Sequence, residues 1–331
     1  MTKLNFFAVG HITNDLEPKD HLGGGVAYSA VAAHRLGMDA HVVTKCPTNH
    51  PYIQELEGLG VLVHRLPTGN PDLQNNITSF RNFYDEHGNR KQIVSKIQEK
   101  ITKEDLPQFP QIPKDSIVLV APVFGEVEYD LFPILSENRR LFITPQGYFR
   151  RKKSDGEVYH DLPESIGNFL NSLSHSAGLI LSDEDLTFEG RFEESFLKEV
   201  RSISPLVVLT KGERGQTIYQ SQKEPQDIRV LPLSGDEIVD PTGAGDSSAT
   251  AFIWHYETRQ DAKEAGVFAA LYAALKIMGI GGREHGIPGL PTLEQVQNYI
   301  SSHPERYNNF LRENALATLT LEGISKQKER G

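Results

Sequence analysis

Asp240-Pro241-Thr242-Gly243-Ala244-Gly245-Asp246 is the stretch on which the reading of this chain turns. It runs straight into Ser247-Ser248-Ala249-Thr250-Ala251-Phe252-Ile253-Trp254, small and apolar residues suited to a closely packed helix. A small-residue loop that opens a helix leaves several backbone amides without intrahelical acceptors, and the helix dipole adds positive potential at the same place. The result is an anion site. Gly243 and Gly245 let the backbone bend and approach a phosphate with no side chain in the way. Pro241 stiffens the turn before them. Asp246 then stands at the helix start, beside that site. By itself such an aspartate has two readings. It is either an acid favoured by the dipole, or a base that takes the proton of a hydroxyl attacking a phosphoryl group held by the amides.

Around this motif, short apolar runs alternate with helical patterns. Leu4–Val9, Ala40–Thr44, Val61–Leu66, Ile117–Ala121, Leu141–Thr144, Gly178–Leu181 and Leu206–Thr210 read as strands, most ending in turn or polar residues. Val26–Leu36, stopped by Gly37, and Pro51–Gly58 read as helices. The alternation predicts an α/β fold, a doubly wound and mainly parallel sheet with helices on both faces. Two segments break it. Asn14–Leu22 is a polar excursion, and Asn75–Val94 is a hairpin turning at Asp85-Glu86-His87-Gly88-Asn89-Arg90. The hairpin is either an ordinary surface feature or, with Asn14–Leu22, a small β-sheet lid. The expected organisation is a single domain over 1–311, with lid strands from about 10–24 and 75–95, and a polar C-terminal tail over 312–331.

Lys and Arg total 34 against 44 Asp and Glu, a net charge of −10. That balance speaks against nucleic acid and anionic membranes as partners. Cys46 is the single cysteine, so no intrachain disulfide forms, which suits a reducing compartment. Leu4–Gly10 reads as a strand entering a glycine turn and lacks the pattern of a signal peptide. No apolar run approaches the ~18 residues that a membrane span needs. A cytoplasmic protein acting on a small molecule is expected. No G-x-G-x-x-G follows the first strand, which argues against dinucleotide chemistry.

The 240–246 string resembles the second signature of the pfkB/ribokinase-like family of carbohydrate kinases, a D-[TP]-x-G-A-G-D core opening a helix. The resemblance implies the ribokinase-like fold, Asp246 as general base, and an anion hole of the Gly243, Ala244 and Gly245 amides. Further likeness extends over roughly Phe6 to Leu290. Asp15, closing Gly10-His11-Ile12-Thr13-Asn14-Asp15, looks like the family's acid that binds substrate hydroxyls, and a carboxylate is suited to accept from two of them. Gly23-Gly24-Gly25 resembles a substrate-facing glycine pair, which falls on Gly23 and Gly24 when counted back from Leu36-Gly37. Tyr28 stands where the family usually has an asparagine that bonds a sugar hydroxyl, so the substrate contact there is altered.

Thr210-Lys211-Gly212-Glu213-Arg214-Gly215 resembles a T-x-G-x-x-G turn that lies along the nucleotide, implying ATP contacts at Thr210, Gly212 and Gly215. Ser182-x-x-Asp185 stands in place of N-x-x-E, whose acid orders magnesium waters; the same acids also read as the first turn of a helix capped by Ser182. Asp240, with the Gly279-Ile280-Gly281-Gly282 loop, matches a region that often holds a monovalent cation such as K+. The implied function is transfer of the γ-phosphoryl group of ATP, with Mg2+, to a hydroxyl of a sugar or cyclic polyol. Sugar, myo-inositol and nucleoside stay open as acceptors, with some likeness to plant-type myo-inositol kinases. The departures at Tyr28, Ser182 and Asp185 leave a second reading, a nucleotide- and polyol-binding sensor without catalysis. Lids of this family often pair between subunits, which implies a homodimer.

Overall fold

The computed structural model describes residues 3–16, 20–84, 90–284 and 287–321. Its main sheet has nine strands in the order Gln226–Ile228, Gln216–Gln220, Leu206–Thr210, Gly178–Ser182, Arg140–Ile143, Ile117–Val120, Asn5–Val9, Asp39–Lys45, Leu62–Leu66. The pairings are parallel, except that Gln216–Gln220 runs antiparallel to both its neighbours at one edge.

The central strands are apolar because both their faces are covered. Successive side chains point to opposite faces. Phe6 and Ala8 join one core while Phe7 and Val9 join the other; Ile117 and Leu119 part from Val118 and Val120 in the same way. The first core lies under the helices Gly25–Arg35, Ala244–Arg259 and Ala262–Ile277. The second lies under Phe132–Ser136, Ile166–Leu173 and Glu194–Ile203. Ala27, Ala30 and Ala33 on one helix and Ala249 and Ala251 on another are fully buried, and such small residues let the backbones approach closely.

A second sheet of four strands, in the order His21–Gly23, Thr13–Asp15, Thr78–Tyr84, Arg90–Lys96, stands over the first. Thr13–Asp15 pairs parallel with the start of Thr78–Tyr84, so the polar excursion and the hairpin form one unit. Phe80 and Val94 of this lid pack on Val123 of the body. The hairpin turn at 85–89 lies outside the described residues.

The tail differs from the polar expectation. After the helix Pro304–Glu313, Leu316, Leu319 and Leu321 pack on the first core, and His255 Nε2 is 3.0 Å from the Thr320 carbonyl oxygen. Three leucines among polar residues seat this segment, a signal too sparse to read as an element. Residues 322–331 lie outside the described residues. Among the described residues no helix is long and apolar enough to cross a membrane.

Candidate active site

A cleft of about 2090 Å³ lies between the lid and the carboxyl ends of the parallel strands, where ligands of open α/β sheets bind. Asp15, Gly24, Tyr28, Asp185, Thr210, Gly212, Gly215, Asp240 and residues 243–246 all line it. Gly23 is not among its lining residues, nor is the Gly279–Gly282 loop that the sequence set beside Asp240.

The 240–246 loop is built as a turn that frees its amides. Thr242 N–H donates to Asp240 Oδ1 at 2.9 Å, and Ala244 N–H turns back to the Pro241 carbonyl at 3.1 Å. Gly243 has φ 72°, left-handed backbone that favours glycine. A Cβ there would also stand 2.1 Å from the Tyr28 ring. Among the described residues the amides of Gly243 and Gly245 have no protein acceptor, whereas that of Ala244 is engaged.

Asp246 follows on the first turn of Ala244–Arg259. Burial pushes its carboxyl up to about 6, against the pull of the Arg150 guanidinium. A general base is best matched to its task when its pKa lies near the working pH. Arg150, 8% exposed, donates from Nη1 to the Val123 carbonyl at 3.0 Å, and its guanidinium carbon lies 5.5 Å from the centroid of the Phe80 ring on the lid. Sequence reasoning missed Arg150, although it follows a strand that ends at the cleft.

The three glycines divide their tasks. A Cβ on Gly23 would meet the Asp15 carboxyl at 2.7 Å, and Thr13 Oγ1 donates to Asp15 Oδ1 at 3.1 Å. Gly23 therefore packs against Asp15 rather than lining the cleft. Gly24 has φ 96°, and a Cβ there would stand 2.7 Å from the His11 carbonyl oxygen. Gly25, which the pair counted from sequence leaves out, faces Asp246: a Cβ there would lie 2.9 Å from Asp246 Oδ1. Tyr28 is 3% exposed, and burial with the charges of Asp15, Asp240 and Asp246 holds its phenol protonated.

On the opposite side, Thr210 Oγ1 donates to the Leu181 carbonyl at 3.3 Å, and Gly215, with φ 86°, sits so close to Ile228 that a Cβ would reach its carbonyl oxygen at 2.1 Å. Lys211 Nζ donates to Thr217 Oγ1 at 2.6 Å. Beyond this turn the cleft is walled by Val230, Leu231, Leu233, Ile238, Val239 and Ile277. Ile238 and Val239 are 51% and 53% exposed, unusual for such side chains, and together with their neighbours they form an apolar slot.

At Ser182-x-x-Asp185 the acids lie in the short 3-10 helix Glu184–Leu186, whose N-cap is Asp183 and not Ser182, although Ser182 Oγ accepts from Glu184 N–H at 3.2 Å. Asp185 is 3% exposed. Its Oδ2 accepts from Ser182 N–H at 2.9 Å, while Oδ1 has no hydrogen-bond partner among the described residues. Burial pushes Asp185 up to about 6; the Ser182 amide and Arg150 draw it down, and Glu184 and Asp246 add to the rise. No cluster of three metal-ligating side chains is found among the described residues. A buried carboxylate oxygen lacking a partner, on the wall of the cleft, still fits Mg2+, which keeps several waters and needs few protein ligands.

These features agree with a class of protein: residues 191–288 match the pfkB family of carbohydrate kinases, and the fold of the chain around them is ribokinase-like. Its nearer relatives give the detail. It is 29% identical over 144 residues to the nucleoside kinase of Methanocaldococcus jannaschii, a stretch covering 43% of this chain and 45% of that protein, so the match spans less than half of that relative's length. A pyrophosphate-dependent kinase in the ribokinase family, solved as a sulfate complex, has the same fold with a TM-score of 0.67 at 21% identity, over 82% of this chain and 95% of the other. A fructokinase double mutant of Vibrio cholerae O395, with fructose, ADP and potassium ion bound, has a TM-score of 0.66 at 16% identity, over 90% of this chain and 99% of the other.

Proposed function

We propose that this protein transfers the γ-phosphoryl group of ATP to a hydroxyl of a neutral sugar or cyclic polyol. The observation that carries the proposal is the juxtaposition at the start of Ala244–Arg259, where a carboxylate raised to about 6 stands beside the free amides of Gly243 and Gly245 in one cleft. Phosphoryl transfer asks the protein mainly for positioning and charge stabilisation. Asp246 accepts the proton of the attacking hydroxyl. The Gly243 and Gly245 amides, at the positive end of the helix, hold the phosphoryl oxygens as negative charge moves through them. The Arg150 guanidinium supports the ionised form of Asp246.

The two ends of the cleft suit two different ligands. The lid end offers Asp15, His21, Asn82, Gln92 and Gln146 beside Phe80, hydrogen-bonding groups with an apolar wall for a hydroxylated ring. The other end offers the apolar slot, which suits a purine base better than bare pyrophosphate, with the Thr210–Gly215 turn along the phosphates. Asp185 would hold Mg2+ through its waters, and the ion would supply charge neutralisation on the donor phosphates. The lone, buried Cys46 suits a reducing cytoplasm.

The test is ADP release by the purified protein with Mg2+-ATP and a panel of sugars, inositols and nucleosides. Turnover with at least one acceptor, abolished in Asp246→Asn, is the expected result. Tight binding of ATP and a polyol with no turnover on any acceptor would replace the kinase with a sensor.

A further inference from the structure

Behind the anion-binding loop lies a lysine that the mechanism above does not use. Lys276, in the last turn of Ala262–Ile277, is fully buried. Its Nζ donates to the Asp240 carbonyl at 2.9 Å and lies 3.7 Å from Asp240 Oδ2. The same ammonium stands 5.9 Å from the centroid of the Tyr28 ring, which packs against Gly243. The neighbouring carbonyl of Ile277 accepts from Val239 N–H at 3.0 Å and Asp240 N–H at 3.1 Å. The end of the helix, the beginning of the loop and the Tyr28 ring thus close around one positive charge. A buried ammonium persists where a carboxylate and hydrogen-bond acceptors compensate its lost hydration, and Asp240 supplies both.

We propose that Lys276 is a positioning residue whose ammonium serves as a built-in monovalent cation, fixing Asp240 and with it the 240–246 loop, so that the protein works without K+. The proposal deepens the kinase reading and rests on it. An alkali ion at Asp240 would need that residue's oxygens as ligands. Here the carbonyl is hydrogen-bonded to Nζ, Oδ1 accepts from Thr242 N–H, and Oδ2 faces the same ammonium. The Gly279–Gly282 loop is likewise closed on itself and its neighbour: the Gly279 carbonyl accepts from Gly282, that of Gly282 from Gly289, and that of Gly289 from Gly281. The donors that a K+ ion would require are engaged with protein hydrogens, and the expected ion at Asp240 does not fit them.

The test compares K+ with tetramethylammonium, which is too large to enter such a site. For the native protein, turnover and melting temperature are expected to be the same in both, and crystals soaked in thallium(I) are expected to show no anomalous scatterer beside Asp240. In Lys276→Ala, turnover in tetramethylammonium should fall about a hundredfold, the cost of a displaced catalytic group. K+ should restore much of it, and thallium(I) should appear at Asp240. Activation of the native protein by K+, or thallium beside Asp240 in the native crystal, overturns the proposal; so does a Lys276→Ala enzyme as active as the native one. Should Lys276→Ala fail to fold, the native-protein arms still decide. Should no acceptor be turned over at all, the kinase reading falls while the thallium and melting measurements still report on Lys276.

Discussion

At Asp246 the burial that would suit the proposed base also works against folding. Its carboxyl, raised to about 6, lies above the ~3.9 of an unfolded aspartate. The folded state therefore favours the protonated form. Stability linked to this group is present below the unfolded pKa and lost as pH rises through about 6. Asp246→Asn should melt higher than the native protein at pH 8, with the gap closing towards about pH 4, while turnover drops by about 10²–10⁴-fold. Thermal melts and turnover on the same preparations check both halves, and a lower melting temperature at pH 8 would contradict the account.

Asp185 is raised to about 6 as well, chiefly by burial, with the charges of Glu184 and Asp246 adding to the rise. In pH profiles taken with saturating Mg2+-ATP, kcat/KM should decline below about pH 6 with a slope approaching two protons, reduced to one in Asp185→Asn. At this scale the sequence was legible where chemistry is local. Asp15, Asp246 and the glycines announce themselves within short strings. Arg150, Gly25 and Lys276 do not, because their partners are brought to them by the fold: Arg150 sits between the lid and two acids, Gly25 owes its identity to a carboxylate from another helix, and a buried lysine looks in sequence like any helix-end cation.

The elements show how little room the site leaves for change. Gly25→Ala would place a methyl group 2.9 Å from Asp246 Oδ1. It should leave the melting temperature nearly unchanged and lower kcat about a hundredfold by displacing the base. Gly243→Ala combines left-handed backbone with a 2.1 Å clash against Tyr28, so it should cost ~1–3 kcal/mol of stability as well as activity; urea unfolding separates the two variants. On the donor side, Ala273 lines the apolar slot. Ala273→Phe should fill the slot and raise the KM for ATP about tenfold, the equivalent of ~1.4 kcal/mol, with the KM of the acceptor unmoved. The central strands were legible to within a residue or two because covering on both faces makes them uniformly apolar. The short edge strand Gln226–Ile228 was not, since its one buried side chain, Ile228, carries no periodic pattern.

Across the whole molecule, ligands ought to act as the missing part of the core between lid and body. Mg2+-ATP at a hundred times its dissociation constant should stabilise the fold by ~2.7 kcal/mol, an upward shift in melting temperature that EDTA largely removes if Asp185 holds the metal. A shift that persists undiminished in EDTA would detach Asp185 from Mg2+. The doubly wound sheet and the existence of a lid could be anticipated from the α/β alternation and its breaks, whereas the order of the strands could not. The docking of Leu316, Leu319 and Leu321 could not, because an isolated leucine in a polar segment shows its partner only in three dimensions.

The lid strand His21–Gly23 passes without interruption into the helix that begins at Gly25, the residue pressed against Asp246. Cover and the glycine that abuts Asp246 are therefore one length of chain, and the carboxylate meets it from another helix. On the proposed kinase reading, a guest molecule that seats the cover also sets the space around Asp246, and water alone, unable to hold the cover down, would leave the nucleotide unspent.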